Sequence, residues 1–135
     1  MSAVDVSYTL STTTTHRLDV AVSRVREALA DAGFGVLCEI DVQATLKQKL
    51  GVDHEPYLIL GACNPPLAHR ALQAEPDLGV LLPCNVVVYT HAGQTHIAAI
   101  NAERMLSIVD NDALTDTAAE VRRRLSAAVD RAAAA

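Results

Sequence analysis

Two tripeptides gather the residues of this chain that are best suited to chemistry: Cys63-Asn64-Pro65 and, in near mirror order, Pro83-Cys84-Asn85. Each stands where an apolar run meets a turn. If the flanking runs are antiparallel neighbours, the end of the first lies beside the start of the second, and two thiols meet at one edge of the fold. Asn64 is a good helix N-cap, and Pro65 suits the first helical position, where its missing N–H costs nothing. A helix N-terminus carries about half a positive charge and free N–H groups, so the Cys63 thiol is expected to ionise more readily there. The plainer alternative is that Cys63 fills a small apolar slot. Pro83 fixes the approach of the chain to Cys84 and keeps Leu82 out of the helical region. With Cα atoms within ~7 Å the two cysteines could form a disulfide; otherwise they could share a soft ligand. Two thiols and the amides of Asn64 and Asn85 do not complete a tetrahedral zinc site. A histidine, Met105 or a second copy of the chain would have to add donors, whereas Cu(I) accepts few, soft ligands. The candidate ligand-binding set is therefore Cys63, Asn64, Pro65, Pro83, Cys84 and Asn85, with Cys63 and Cys84 as candidate ligands for Cu(I) or Zn²⁺.

Other residues offer less. Cys38 sits inside an apolar strand pattern and is expected to be a buried core thiol. His91 and His96 flank a hairpin turn and could face each other across it, although surface polarity explains them equally well. His54-Glu55-Pro56 resembles part of a deaminase signature, but Pro83-Cys84 lacks the second cysteine such a site needs. Asp110, Asn111, Asp112 and Asp116 read as helix-capping residues, since the Gly and distal Glu of a calcium loop are out of register. Arg122-Arg123-Arg124 wraps too far around a helix to form one binding face and is expected to be solvated, pairing with Glu120 or Asp116. No Ser/His/Asp set or phosphate-binding loop occurs. Gly33-Phe34-Gly35 is no dinucleotide fingerprint, for it lacks a third Gly and leads into a strand.

The elements that must position the cysteines follow from hydrophobic period. A strand is expected over Val4–Leu10, with Thr12–Thr15 supplying the cap of an amphipathic helix (Leu18, Ala21, Val22, Val25, Ala28, Leu29, Ala32) stopped by Gly33. A second strand spans Phe34 to Ile40, and Asp41 caps a short helix with Leu46 and Leu50 on one side, ended by Gly51. Tyr57–Leu60 is a third strand, followed by the helix that Asn64 caps. Val86–Tyr89 and Thr95–Ile100 are strands joined by a tight turn at His91–Gln94, too short for a parallel crossover. Asn101 caps another short helix, and a long one carries Leu114, Ala118, Val121, Leu125, Val129 and Ala132. The reading is α+β: a mainly antiparallel five-stranded sheet with the long helices on one face. It forms one domain over 1–135, ordered from about 4 to 131, with a frayed Ala132–Ala135 tail.

The chain has 135 residues, half of them apolar and only 3% aromatic, so its core is aliphatic. A net charge of −5 argues against a nucleic-acid surface. No apolar run approaches the ~20 residues of a membrane helix, and Met1–Asp5 does not read as a signal peptide. Three cysteines without framework spacing suggest a reduced, cytoplasmic protein.

Four segments, Gly33–Leu37, Asp41–Leu46, Leu60–Pro65 and Leu81–Val86, resemble the bacterial family catalogued as domain of unknown function 302. The resemblance spans about Ser7 to Val129, and the two cysteine motifs are its more specific part. It implies a fold like that of the TATA-box-binding-protein class, β-α-β(4)-α with short extra helices, and a homodimer. It implies no DNA binding, because fold is not function, and no activity. The expectation is a homodimeric binding or sensing module with a two-cysteine site. The alternatives are a thiol-dependent enzyme or redox protein using Cys63 and Cys84, and an interaction protein with inert, buried thiols.

Overall fold

The computed structural model describes residues 4–6 and 8–135, with side chains from Tyr8 onward. The alternation expected of the Val4 and Val6 side chains, and the N-terminal reading on Met1–Ala3, lie outside the described residues. The strand expected over Val4–Leu10 is in fact two, β1 (Val4–Val6) and β2 (Thr9–Thr14), paired antiparallel with Asp5 opposite Leu10. Of the threonines expected to cap the first helix, Thr12–Thr14 extend β2 instead, as β-branched residues favour. Arg17 takes the N-cap position of α1 (Leu18–Asp31) without a side-chain capping bond.

Beyond α1 the chain runs through β3 (Gly35–Asp41), α2 (Val42–Leu50), β4 (Tyr57–Cys63), α3 (Pro65–Ala74), a 3₁₀ turn at Pro76–Leu81, β5 (Cys84–His91), β6 (Gln94–Ile100), α4 (Ala102–Leu106), two further 3₁₀ turns and α5 (Thr115–Ala133). The strands form one antiparallel sheet in the order β1-β2-β6-β5-β4-β3. Five long strands, β2 to β6, make the expected sheet, and the three-residue β1 extends one edge. With the short helices set aside, β2 to α5 follow the order β-α-β(4)-α.

Period-two alternation sorts the sheet into two faces. Leu10, Leu60, Ala62, Val86, Val88, Ile97 and Ala99 share one core with Ala21, Val25 and Leu29 of α1 and Val121, Leu125 and Val129 of α5, so both long helices cover the same face. The opposite face carries a cross-strand aromatic strip. Tyr57 stacks on Tyr89 at 5.0 Å and Tyr89 on His96 at 4.8 Å between ring centroids. A smaller core lies beside the first, where Ala71 of α3, Leu78, Leu106 of α4, Leu114 and Ala118 of α5 pack together.

The alanine tail is held where fraying is expected. Ala132 is buried within α5, the Thr14 hydroxyl donates to the Ala133 carbonyl at 2.9 Å, and Arg24 Nε donates to the Ala132 carbonyl at 2.9 Å. The hydroxyl at the end of β2 and the guanidinium on α1 thus occupy carbonyls that the helix end leaves free. Arg123 and Arg124 both pair with Glu120, whose carboxyl is held below its usual range, first by the Arg124 hydrogen bond. Among the described residues no helix is long and apolar enough to cross a membrane.

Candidate functional site

β4 and β5 run antiparallel with Ala62 opposite Cys84, so Cys63 is one residue beyond the partner of Cys84. At the end of β4 the chain turns into α3 through Asn64, whose side chain accepts the Leu67 N–H at 3.1 Å, with Pro65 in the first helical turn. Asn64 is almost wholly buried, and it packs so closely on Gly33 that a Cβ at Gly33 would lie 2.9 Å from the amide nitrogen. Gly33 also has a φ of +88°, so the turn between α1 and β3 requires glycine on both counts.

Cys63, Asn64, Pro83 and Cys84 line a single cavity of about 40 Å³ bounded by β4, β5, α3, α4 and α5. Its other walls are mostly apolar: Ala62, Leu67, Leu78, Leu106 and Val121, joined by Met105 and the buried Thr117. The volume holds one or two water-sized groups. Two of the six residues expected at the site lie elsewhere. Asn85 is exposed on the other face of the sheet, because alternation along β5 turns it away from Cys84 and Val86. Pro65 is exposed at the start of α3, outside the cavity.

The Cys84 thiol is pushed up to about 11, first by burial and then by the neighbouring Cys63. It is therefore a neutral thiol near pH 7. All three cysteines are free. No group of three or more His, Cys, Asp or Glu suited to a metal ion occurs among the described residues.

Cys38 is exposed rather than buried. The register of β3 explains the difference. Val36 pairs with Ala62 and Cys38 with Gly61, so Leu37 is an extra residue in a β-bulge. The bulge reverses the alternation, leaving Leu37 at 68% exposure and turning Cys38 to the face away from the helices. There its sulfur and the Pro83 ring both cover Gly61, where an added Cβ would lie 2.6 Å from Cys38 Sγ and 2.8 Å from Pro83 Cγ. The sulfur can rotate away but the ring cannot. Gly61→Ala is expected to lose about 1–2 kcal/mol of unfolding free energy through overpacking. Adding Cys38→Ala should restore only part of that loss in denaturant melts. A Gly61→Ala protein as stable as the parent would mean that Pro83 is not fixed against β4.

The histidines separate into different roles. His96 stacks on Tyr89, while His91 Nδ1 lies 3.1 Å from Glu55 Oε2, and the two rings sit 6.3 Å apart at a tilt. The aromatic strip escaped the sequence reading, yet the register that pairs Tyr57 with Tyr89 and Tyr89 with His96 is its signal. Of the segment expected to cap the last helix, only Asn111 acts as a cap, accepting the Ala113 N–H at the start of the 3₁₀ turn at Asp112–Leu114, while α5 itself begins after Leu114 without a side-chain cap. Larger hollows, such as one of about 240 Å³ beside Asp110–Asp112 and one of about 520 Å³ between the ends of α1 and α5, are open grooves with charged rims.

No curated protein matches the chain. The crystal structure of an uncharacterized conserved protein DUF302 from Bacillus stearothermophilus matches with a TM-score of 0.87 at 33% sequence identity, covering 92% of this chain and 97% of that one. A family model described as Domain of unknown function DUF302 matches residues 10–132, from near the start of β2 almost to the end of α5. With the fold and the sequence pattern agreeing over nearly the whole chain, the protein belongs to the DUF302 family.

Proposed function

We propose that the cavity at the start of α3 is the working site of a small binding or sensing module, in which Cys63 and Cys84 take a soft ligand or metal ion. The observation that carries this reading is the arrival of two free thiols, from the end of one strand and the start of the next, in one apolar cavity. Apolar walls exclude water and hard ligands and leave sulfur as the main donor. Three free cysteines suit the reducing cytoplasm, and the net charge of −5 does not suit a nucleic-acid partner.

The working unit is taken to be a homodimer. The sheet face away from the helices offers Ile40, at 46% exposure, together with half-buried Ile59, Val87 and the tyrosine strip to a second copy. Sedimentation equilibrium is expected to give twice the chain mass of 14.3 kDa. A monomer at micromolar concentration removes the dimer and leaves the cavity reading untouched.

Reduced, metal-free protein titrated anaerobically with Cu(I) or with Zn²⁺, in competition with a chromogenic chelator, tests the site. Binding of at least one of them is expected, and Cys63→Ser and Cys84→Ser should each abolish it. Absence of thiol-dependent binding by either ion would leave the cysteines as inert packing and end this reading.

A further inference from the structure

A third sulfur-bearing residue lines the same cavity. Met105 belongs to α4, a helix that Asn101 starts by accepting the Arg104 N–H at 3.4 Å. Ala102 is buried in the larger core and Leu106 in the smaller one, and Met105 of the same helix, which packs on α5, lies against both. Met105 lines the cavity together with Cys63 and Cys84. Three elements distant in sequence, the end of β4, the start of β5 and α4, therefore each bring one sulfur-bearing residue to its wall.

From this we infer that the ligand is a single Cu(I) ion, held by the thiolates of Cys63 and Cys84 and the thioether of Met105. The inference rests on the functional reading above and specifies its ligand. Cu(I) is soft and selects thiolate and thioether donors. Zn²⁺ in a structural site takes four ligands from Cys, His or carboxylate, and no set of even three such residues occurs among the described residues. A cavity of about 40 Å³ accommodates an ion rather than a polyatomic ligand. No charged side chain lines it, and the N-terminus of α3 beside Cys63 favours the net negative charge of a dithiolate Cu(I) centre. The binding step involves no redox change. Two S–H bonds break, two Cu–S thiolate bonds and one dative thioether bond form, and two protons pass to the buffer.

Met105→Leu is the discriminating variant, because it conserves volume and apolarity and removes only the donor. Made in a Cys38→Ala background, which removes the exposed thiol, it should keep the parent's melting temperature. The background protein is expected to bind one Cu(I) per chain with three sulfurs counted by X-ray absorption. Met105→Leu should weaken Cu(I) binding by about tenfold or more and lower the count to two. Cu(I) binding that needs both cysteines but is unaffected in Met105→Leu overturns the three-sulfur centre and leaves the two-cysteine site standing. Thiol-dependent Zn²⁺ binding without Cu(I) uptake also overturns the inference alone. Loss of thiol-dependent binding for both ions overturns the inference and the site together.

Discussion

Replacing Leu60 with alanine is expected to lower the unfolding free energy by about 3–5 kcal/mol, the upper part of the range for buried leucine truncations. Leu60 is wholly buried, with 0% of its surface exposed, and its strand lies inside the sheet between β3 and β5. The truncation forfeits the transfer energy of the removed carbons. It also leaves a void that paired strands on both sides cannot collapse to fill. A domain of ordinary stability has about 5–15 kcal/mol in total, so the loss would be visible as a large fall in the denaturant midpoint at an unchanged slope. Leu50→Ala is the control. Leu50 is 69% exposed at the end of α2, and its truncation should change stability by no more than about 0.5 kcal/mol. Equal effects of the two substitutions would contradict the assignment of Leu60 to the helix-covered face. That face is what turns Ala62 inward and sets Cys63 at the cavity, so the same measurement bears on the site.

The parts of this fold that could be read from sequence are those decided by residues close together along the chain. Asp41, Asn64 and Asn101 each cap a helix by accepting the N–H of the third residue on, at Ala44, Leu67 and Arg104. Ala92 and Gly93, both with positive φ, close the hairpin expected between β5 and β6. Antiparallel pairing of β4 and β5 was enough to bring Cys63 and Cys84 to one place, because the end of one strand must lie beside the start of its neighbour.

What could not be read depends on partners remote in sequence. The bulge at Leu37 exists only in the register of β3 on β4, and it reversed the expected burial of Cys38. Helix α2 has no buried residue, so the stripe of Leu46 and Leu50 marks no core contact. A run of alanines carries no sign that Thr14 and Arg24, more than 100 positions earlier, will hold its carbonyls. The walls of the cavity were equally illegible. Short helices such as α4 have weak patterns of their own, and their placement is set by packing.

The buried thiol makes stability depend on alkaline pH. Cys84 stands at about 11 in the folded protein against 9.0 for an ordinary thiol, because burial and the adjacent Cys63 disfavour its ionised form. The folded chain therefore keeps a proton that the unfolded chain releases between these values, and unfolding becomes easier as that proton is lost. The stabilising contribution is fully present below pH 9 and is lost as pH rises toward 11, for a total of about 2–3 kcal/mol. Tyr57 is raised as well, by burial first and then by Tyr89 and Tyr8, and adds a decline of the same sign. Comparison with Cys84→Ala separates the two. Alanine cannot titrate, so metal-free Cys84→Ala should start from a lower stability but lose about 2–3 kcal/mol less than the parent across this window. Urea unfolding at half-unit steps of pH would show the two curves converging. Curves that stay parallel throughout would mean that the Cys84 thiol meets water in the folded state, and the apolar walls assigned to its cavity would have to be redrawn.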